Sequence, residues 1–393
     1  MYLINGNFFI DDSFKYGSIK IENGLFGEFC PGEFNKDILE NVSDSDDQYM
    51  DLEGAFVIPG LVDIHIHGAV GRDVSDGDSD AISSMADYLV KQGVTSFLPT
   101  TMSLPKERIL KVTCAFQEAV SQWKGDAAKI LGLRLEGPFL SPEKKGAQNE
   151  EYLINPDEEL FREVFTEASG NIKILDMAPE LSGATDFIKS FKDDVLISVG
   201  HTTSDYECAM RAFESGAGHL THLYNAMNPF LSRNPGPIGA AIMNENVTAE
   251  IITDGIHSHP SSVKAAFRLF GNRMCIISDS VRCCGMEDGI YDLSGQRVRL
   301  EGKKVVLEDS EKETIAGAAQ NLYDNLLSAI EFGLPKEKMI LAATRVPADI
   351  VGEKRIGRIE KGAFADFIIC DENLNRKHVF ISGCRISIGN KKL

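Results

Sequence analysis

The chain lacks the features that mark nucleic-acid-binding and membrane-spanning proteins. Its 393 residues contain no dense block of Lys or Arg, and the formal net charge is −19. A nucleic-acid binder needs a basic face, so this class is excluded. No apolar run approaches the roughly 20 residues that a membrane span requires. The first residues also lack the basic and apolar stretches of a signal peptide. We therefore expect a cytoplasmic protein with no nucleic-acid or membrane partner.

Paired cysteines of the C-x-x-C type are also absent. Eight Cys residues occur, and several of them stand inside apolar runs. This usage favours buried thiols in a reducing compartment over a disulfide framework. Cys283 and Cys284 are adjacent and lie close to candidate site residues, so a reactive thiol at that place is an alternative hypothesis.

What the chain does contain, from residue 57 onwards, is an alternation of short apolar runs and helical segments. Eight runs are predicted strands: Leu61–His65, Val94–Leu98, Lys129–Leu135, Ile172–Met177, Val195–Val199, Gly218–His222, Thr248–Ile252 and Met274–Ser278. Helices are predicted between most of them, for example Ser79–Gln92, Lys106–Trp123, Glu158–Glu167, Ser204–Ser215 and Ser261–Phe270. Unbroken apolar runs are typical of a parallel sheet covered on both faces. The alternation predicts an α/β fold, a (β/α)₈ TIM barrel.

The two ends of the chain have a different pattern, with short strands separated by turns. The predicted strands are Met1–Asn5, Asn7–Ile10, Gly17–Ile21, Gly24–Glu28, Phe367–Cys370, Val379–Ile381 and Cys384–Ile388. The acidic segment 35–51 is predicted to be a loop. Neither end is large enough to fold well alone. We predict that residues 1–56 and 358–393 pair as one small discontinuous β-sandwich domain beside a barrel at 57–357.

The segment after the eighth barrel strand carries an insertion. A β-like stretch is predicted at Gly289–Val306, and helices are predicted at Gly317–Phe332 and Pro335–Val351.

Residues that can bind a metal stand at the carboxyl ends of the predicted barrel strands. They are His65, His67, Glu136, His201, His222 and Asp279. Barrel active sites form where these strand ends meet. His65 and His67 point to the same face because side chains alternate along a strand. The set predicts a metal centre, since neutral imidazole is a common ligand of divalent transition metals.

These residues can be divided into two ligand groups and one proton carrier. Glu136, His201 and His222 can hold one ion, and His65 and His67 can hold a second ion bridged by Glu136. Zn²⁺ is the expected metal, with Fe²⁺, Mn²⁺ and Co²⁺ as alternatives. Such an ion polarises a carbonyl and lowers the pKa of its water to roughly 7. Asp279 is the predicted catalytic residue, first a general base and then a general acid. Hydrolysis of an amide, a lactone or an amidine follows.

Longer segments around these residues resemble the amidohydrolase superfamily and, within it, the family of N-acetylglucosamine-6-phosphate deacetylases. The segments are 59–68 (PGLVDIHIHG), 135–139 (LEGPF), 200–202 (GHT), 221–227 (THLYNAM), 233–236 (RNPG) and 254–257 (DGIH). Hydantoinase-like relatives place a carboxylated Lys on strand four, where this chain has Asp176-Met177-Ala178-Pro179. The resemblance covers nearly the whole chain.

The resemblance implies removal of the acetyl group from N-acetylglucosamine 6-phosphate. It implies that the backbone amides of Asn225 and Ala226 bind the phosphate, and that Arg233 reaches it from the neighbouring subunit of a homodimer. An acidic chain needs such local donors for an anion. It also implies that His257 contacts the sugar and that the acetyl end of the pocket is lined by Ile315, Ala316 and Gly317.

The chain departs from the family pattern at three places, all near the expected substrate. The family has a His twelve residues after the strand-three Glu, and this chain has Ala147-Gln148 there, both implied to contact substrate. A Gln can donate a hydrogen bond but cannot carry a proton charge. The other two departures are Ser278-Asp279-Ser280 and Ala316-Gly317-Ala318.

Three alternatives follow from these departures. The substrate could be an epimeric N-acetylhexosamine 6-phosphate, or a different N-acyl or cyclic amide. The chain could also be an inactive relative, but that hypothesis predicts broken metal ligands and none is broken.

Overall fold

The predicted barrel is confirmed in the computed structural model, which describes residues 1–33, 49–308 and 313–387. Its eight strands are Leu61–Ile66, Val94–Thr101, Leu133–Glu136 (continuing Lys129–Ile130), Ile172–Met177, Leu196–Val199, His219–Leu220, Thr248–Ile252 and Met274–Ile277. Each strand pairs in parallel with the next. A parallel bridge between Ile66 and Ser280 joins the last strand end to the first. All strand carboxyl ends therefore face one rim.

The helices that cover the barrel follow the predicted segments closely. In the described residues they are Ser79–Lys91, Lys106–Gln122, Glu158–Glu167, Ala184–Phe191, Tyr206–Ser215, Gly236–Met243, Pro260–Phe270, Leu322–Glu331, Lys336–Ala343 and Arg345–Ile350. Capping side chains fix several of the starts: Asp157 accepts a hydrogen bond from the Leu160 N–H, and Asp205 accepts one from the Cys208 N–H. An acidic cap satisfies an N–H that the helix itself leaves without a partner.

Two of the predicted helices differ from the structure. The helix predicted at Gly317–Phe332 begins only at Leu322, where the Asn321 side chain caps the N–H groups of Tyr323 and Asp324. The preceding residues form the strand Ile315–Ala318. The helix predicted at Pro335–Val351 is broken at Thr344, which has φ −131° and ψ −86°.

A second, eight-stranded sheet joins the two ends of the chain. Its strands are Tyr2–Ile10, Ser13–Glu22, Leu25–Pro31, Tyr49–Asp51, Phe56–Pro59, Phe367–Cys370, Arg376–Ile381 and Cys384–Arg385. Phe56–Pro59 lies antiparallel to Phe367–Cys370 and parallel to Tyr2–Ile10, which links the two ends. This linking strand crosses the boundary predicted at residue 56. The division into 1–56, 57–357 and 358–393 stays a prediction.

The loop predicted at 35–51 is wrong for its last residues, because Tyr49–Asp51 is a strand paired with Tyr2–Ile10. Residues 35–48 of that prediction, and residue 388 of the last predicted strand, lie outside the described residues.

The insertion after the eighth barrel strand is an antiparallel sheet, as the sequence predicts. Its strands are Gly289–Leu293, Gln296–Glu301, Lys304–Leu307 and Ile315–Ala318. Its buried side chains Leu293, Val298 and Val305 pack in one cluster with Met102 from the second barrel strand's end. A bridge between Ala318 and Ser280 ties it to the rim. The insertion therefore covers part of the carboxyl end of the barrel.

The cysteine prediction is only partly right. Cys275, Cys283, Cys284 and Cys370 are buried, whereas Cys30, Cys114 and Cys384 are exposed, and all eight are free thiols. None of the helices in the described residues has the length and apolar character needed to cross a membrane.

Candidate active site

The predicted metal ligands converge at the carboxyl rim of the barrel. Glu136 ends the third strand, and His201 and His222 follow the fifth and sixth strands with left-handed φ values of 43° and 24°. Asp279 follows the eighth strand with φ 48°. Such φ values cost about 1–3 kcal/mol each outside Gly and cluster at functional sites. The backbone is strained where these side chains must turn inwards.

The carboxylate of Glu136 lies at the centre of the cluster. Its Oε1 is 3.3 Å from His201 Nε2, 3.1 Å from His222 Nε2 and 3.3 Å from His65 Nε2. Its Oε2 is 3.3 Å from His67 Nε2. Glu136 therefore borders both of the ligand groups that the donor atoms define, Glu136–His201–His222 and His65–His67–Asp279.

The spacing of these donor atoms fits a divalent metal. Bonds of about 2.0–2.1 Å in a tetrahedral site place ligand atoms about 3.3 Å apart. The Nε2 atoms of His201 and His222 are 3.1 Å apart, and those of His65 and His67 are 3.2 Å apart. Converging lone pairs at this distance need a cation or protons between them. The donor set, imidazole nitrogen and carboxylate oxygen, suits Zn²⁺ and its neighbours in the first transition row.

Asp279 is held next to the second group as an ionised carboxylate. Its Oδ1 lies 3.3 Å from His67 Nε2 and 3.5 Å from His65 Nε2. Burial raises the pKa of the Asp279 carboxyl, but these two imidazoles outweigh burial and hold that pKa below its usual value. The group can therefore accept a proton at neutral pH.

Gln148, which stands where the family has a His, is held in one orientation. Its Oε1 accepts a hydrogen bond from the Ser103 N–H (2.7 Å), which fixes the amide so that Nε2 donates to Glu136 Oε2 (2.5 Å). The side chain is buried, with 2% exposed. Gln148 thus binds the carboxylate oxygen that faces His67.

A cavity of about 320 Å³ opens above these ligands. It is lined by most of the predicted site residues, namely His67, Glu136, Ala147, Gln148, His201, His222, Asn225, Ala226, His257, Asp279, Ile315, Ala316 and Gly317. His65 is fully buried beneath them. Arg233 is exposed and does not line the cavity of its own subunit.

Two of the predicted substrate residues are held by contacts with residues nearby in the chain. His257 Nδ1 contacts Asp254 Oδ2 at 2.7 Å, and Asp254 also accepts the Ile256 and His257 N–H groups. This leaves the other ring nitrogen of His257 for the cavity. The N–H of Asn225 already donates to the His222 carbonyl oxygen at 3.0 Å. The turn from His222 to Ala226 is thereby closed on itself.

Charged residues that the sequence reading missed also line the cavity. Lys144 is the only Lys or Arg among the described lining residues, and it stands beside Glu143. Its Nζ lies 3.3 Å from the Met227 carbonyl oxygen, next to Ala226 in the chain. Its own carbonyl oxygen is 2.8 Å from His201 Nδ1. Lys144 thus spans from the predicted phosphate loop to a predicted metal ligand.

A buried ionic network below the rim was also missed. Arg134 is fully buried and donates to both carboxylate oxygens of Asp176 (2.8 Å each) and to both oxygens of Glu250 (2.6 and 2.9 Å). The signal was available: a charged residue inside an apolar strand that is covered on both faces must find a partner there.

The cysteine pair near the site does not have the environment of a reactive thiol. Burial raises the pKa of Cys283 to about 11 and that of Cys284 to about 12. Reactive thiols instead have lowered pKa values and solvent access. The hypothesis of a reactive Cys283-Cys284 pair is therefore wrong for this structure.

Comparison with protein families finds one match that spans most of the chain. Residues 56–386 match the model of the amidohydrolase family, whose members are metal dependent. Two curated relatives are both described as N-acetylglucosamine-6-phosphate deacetylase. The Bacillus subtilis protein is 39% identical over 284 residues, 70% of each chain. The Bos taurus protein is 32% identical over 350 residues, 86% of this chain and 85% of the relative.

Solved structures of N-acetylglucosamine-6-phosphate deacetylases are similar to this chain over the whole fold. The structure from Pasteurella multocida has a TM-score of 0.89 and 25% identity, covering 98% of this chain and 99% of that one. A mutant enzyme from Mycobacterium smegmatis, solved in complex with N-acetyl-D-glucosamine-6-phosphate, has a TM-score of 0.88 and 26% identity. It covers 98% of this chain and 99% of that chain.

Proposed function

The chain belongs to the amidohydrolase family, and we propose that it hydrolyses the acetamide of N-acetylglucosamine 6-phosphate. The products are glucosamine 6-phosphate and acetate. One observation carries this proposal: Glu136 belongs to one metal-ligand group and borders a second group, which contains the ionised Asp279, on the floor of a cavity. The relatives that share this reaction cover most of the chain.

Asp279 moves the proton in the reaction. Glu136, His201 and His222 would hold a divalent ion, which would supply Lewis acidity toward the amide carbonyl and toward water. The Asp279 carboxylate accepts a proton from the attacking water as the C–O bond forms. It returns that proton to the amine nitrogen as the C–N bond breaks, so the sugar leaves as a neutral amine. The rim position of Asp279, next to His67, suits both transfers.

Two further residues, Gln148 and His257, shape the substrate pocket, and Gln148 does so through its contact with Glu136. The Glu136 carboxylate stays ionised: burial raises its pKa, but His201 and His65 outweigh burial and lower that pKa well below its usual value. The side-chain amide of Gln148 donates its hydrogen bond to Glu136. Gln148 therefore orients the Glu136 carboxylate and also closes one side of the acetyl pocket. His257, oriented by Asp254, faces the sugar hydroxyls.

The phosphate end lies at the turn that contains Asn225 and Ala226. Lys144 adds one positive charge there from the same subunit. Arg233 is exposed at the edge of this subunit, which supports its action in the partner's site of a homodimer. The exposed side chains of Phe230 (50%) and Leu231 (55%) precede it in the chain and offer apolar area for such a contact. Zn²⁺ is the metal that the donor set favours, and a cytoplasmic location stays a prediction from the sequence.

The first experiment measures acetate release with added Zn²⁺ from four compounds. They are N-acetylglucosamine 6-phosphate, its galacto and manno epimers, and unphosphorylated N-acetylglucosamine. We expect rapid release from the gluco phosphate alone. Equal release from the unphosphorylated sugar would contradict the phosphate site. If none of the four compounds released acetate although metal was bound, the enzyme would act on another N-acyl substrate.

The role of Arg233 in the partner's site can be tested by mixing two inactive variants. Arg233→Ala and Asp279→Asn subunits each lack one required group. If Arg233 acts across the interface, a mixed dimer contains one site that has both groups, and activity returns on mixing. If Arg233 acts within its own subunit, mixing restores nothing. Re-association of wild-type subunits under the same conditions is the control.

A further inference from the structure

A carboxylate deep inside the barrel links the two groups of candidate metal ligands. Glu250 lies in the middle of the seventh strand, Thr248–Ile252, and is fully buried. It does not line the cavity and does not belong to either ligand group. A buried ionised carboxylate is costly unless every oxygen is paired. Its partners therefore show what it does.

The first partner is His65 of the first strand. Glu250 Oε1 lies 2.6 Å from His65 Nδ1. An ionised carboxylate can only accept, so the Nδ1 of His65 carries the proton. The lone pair of this imidazole is then on Nε2, the atom that lies 3.3 Å from Glu136 and 3.5 Å from Asp279. Glu250 thereby selects the tautomer that can bind a metal.

The second partner is the backbone of the other group. The same Oε1 accepts the N–H of His222 at 3.2 Å, and the Glu250 carbonyl oxygen accepts the N–H of Leu223 at 2.8 Å. His222 has a left-handed φ of 24°, which a non-Gly residue keeps only where its neighbours hold it. Glu250 supplies part of that support.

The third partner keeps the carboxylate charged. Arg134 donates to both oxygens of Glu250, and His219 Nε2 lies 3.2 Å from Oε2. Arg134 is itself shared with Asp176. Arg134, Asp176 and Glu250 together carry one negative charge in excess, and Glu250 is in direct contact with the candidate ligand His65.

We infer that Glu250 is a positioning residue for the metal centre: it fixes the His65 tautomer and the His222 backbone, and so couples the two ligand groups. This inference rests on the proposed metal-binding function but not on the identity of the sugar. An outer carboxylate of this kind orients a ligating imidazole and raises its basicity, and its loss costs about 10- to 100-fold in metal affinity. The effect should reach both groups, because one oxygen contacts both.

The test compares Zn²⁺ binding by the Glu250→Gln variant with Zn²⁺ binding by a matched control variant, Asp366→Asn. Asp366 is also a buried carboxylate, paired with Lys129 Nζ at 2.5 Å and with the Ser382 N–H at 2.7 Å, but it contacts no candidate ligand. Zn²⁺ affinity is measured by competition with a chromogenic chelator, and stability by urea unfolding. We expect both variants to lose stability, and only Glu250→Gln to lose about 10- to 100-fold in Zn²⁺ affinity. Equal affinity in wild type and Glu250→Gln would overturn the inference.

A conservative variant separates positioning from charge balance. Glu250→Asp keeps the negative charge opposite Arg134 but is one methylene too short to reach His65. We expect it to recover much of the stability while its Zn²⁺ affinity stays low. If Glu250→Asp restored wild-type affinity, the residue would serve charge balance only and the inference would fail.

Nuclear magnetic resonance of the Zn²⁺-loaded protein gives a readout that does not depend on activity. With ¹⁵N-labelled histidine, the wild type should show a far-downfield Nδ1 proton for His65, because the contact to Glu250 is short. Its loss in His65→Gln distinguishes it from the Nδ1 proton of His257, which contacts Asp254 at 2.7 Å. The His65 signal should move upfield in Glu250→Gln, because a neutral amide oxygen accepts a weaker hydrogen bond than a carboxylate does. A wild type that binds Zn²⁺ without this proton would contradict the inference and leave the proposed deacetylation intact. A wild type that binds no Zn²⁺ would contradict both.

Discussion

The carboxyl rim of the barrel differs in what it buries from the eight-stranded sheet that joins the two chain ends, called the small sheet below. The rim and the barrel interior directly below it bury His65, Glu136, Glu250 and Arg134, each of which needs a charged or polar partner. The small sheet buries Phe8, Phe26, Phe367 and Phe380 with other apolar residues. There the Phe367 and Phe380 rings stack with centroids 4.4 Å apart. One region is organised by pairwise charge contacts, the other by packed area.

The difference shows where each kind of substitution should act. Buried apolar packing stabilises the fold without directional demands. Buried charge contributes little net stability but is strongly directional. The strained backbone at His201, His222 and Asp279 belongs to the rim. We therefore expect rim substitutions to change metal binding or turnover, and sheet substitutions to change stability alone.

Asp279→Asn should have the largest effect. The amide keeps the shape of the side chain but cannot accept a proton, so kcat should fall by about 10²- to 10⁴-fold. The metal at Glu136, His201 and His222 should remain, as metal analysis of the purified variant would show. Turnover close to that of the wild type would remove Asp279 from the mechanism.

Phe367→Ala should have the next largest effect, on stability alone. Phe367 is fully buried against Phe26 and Phe380, so the substitution should lower the free energy of unfolding by about 3–5 kcal/mol. Below the unfolding transition, kcat per folded molecule should not change. Tyr16→Ala in the same sheet is the control, since Tyr16 is 41% exposed and should shift stability by at most about 0.5 kcal/mol. A loss of kcat in Phe367→Ala would show that the two regions are coupled.

Metal affinity should rise with pH. In the metal-free protein burial lowers the pKa of His67, but Asp279 and Glu136 outweigh burial and raise it to about 9. Below that pH the imidazole holds a proton that must leave before a metal binds. The apparent Zn²⁺ affinity should therefore increase up to about tenfold per pH unit from pH 6.5 to 8.5. Chelator competition at each pH measures this, and a flat profile would argue against His67 as a ligand.

Lys144→Met should have the smallest effect. Loss of the Lys144 cation removes one charge-assisted hydrogen bond to the phosphate. The KM for the phosphorylated sugar should therefore rise by about tenfold, and kcat should not change. The unphosphorylated sugar should be unaffected. Lys145→Met is the matched control, because Lys145 pairs with Glu150 at 2.9 Å and does not line the cavity. Equal effects of the two variants would assign the change to general surface charge.

The barrel and the convergence of the candidate metal ligands were predictable because both depend on local signals. Apolar strand runs such as Ile172–Met177 and Thr248–Ile252 match the structure residue for residue. The strand-end positions of His65, His67, Glu136, His201, His222 and Asp279 follow from topology, since parallel barrel strands end at one rim.

The errors arose where the tertiary structure overrides the local pattern. Ile315–Ala318 reads as the approach to a helix but pairs with Lys304–Leu307 as a strand. Tyr49–Asp51 stands in a polar stretch but adds to the edge of Tyr2–Ile10. In both cases a partner strand far along the chain decided the conformation, and sequence windows do not contain that partner.

The sequence by itself determined the barrel, the amidohydrolase resemblance and the candidate metal ligands, because periodicity and motif spacing are properties of neighbouring residues. Only the tertiary structure decided that Gln148 donates to Glu136, that Lys144 contacts both Met227 and His201, and that Glu250 joins His65 to His222. These contacts connect residues that are distant along the chain. Their partners are chosen by the need of each buried charge for a counterpart within hydrogen-bond distance.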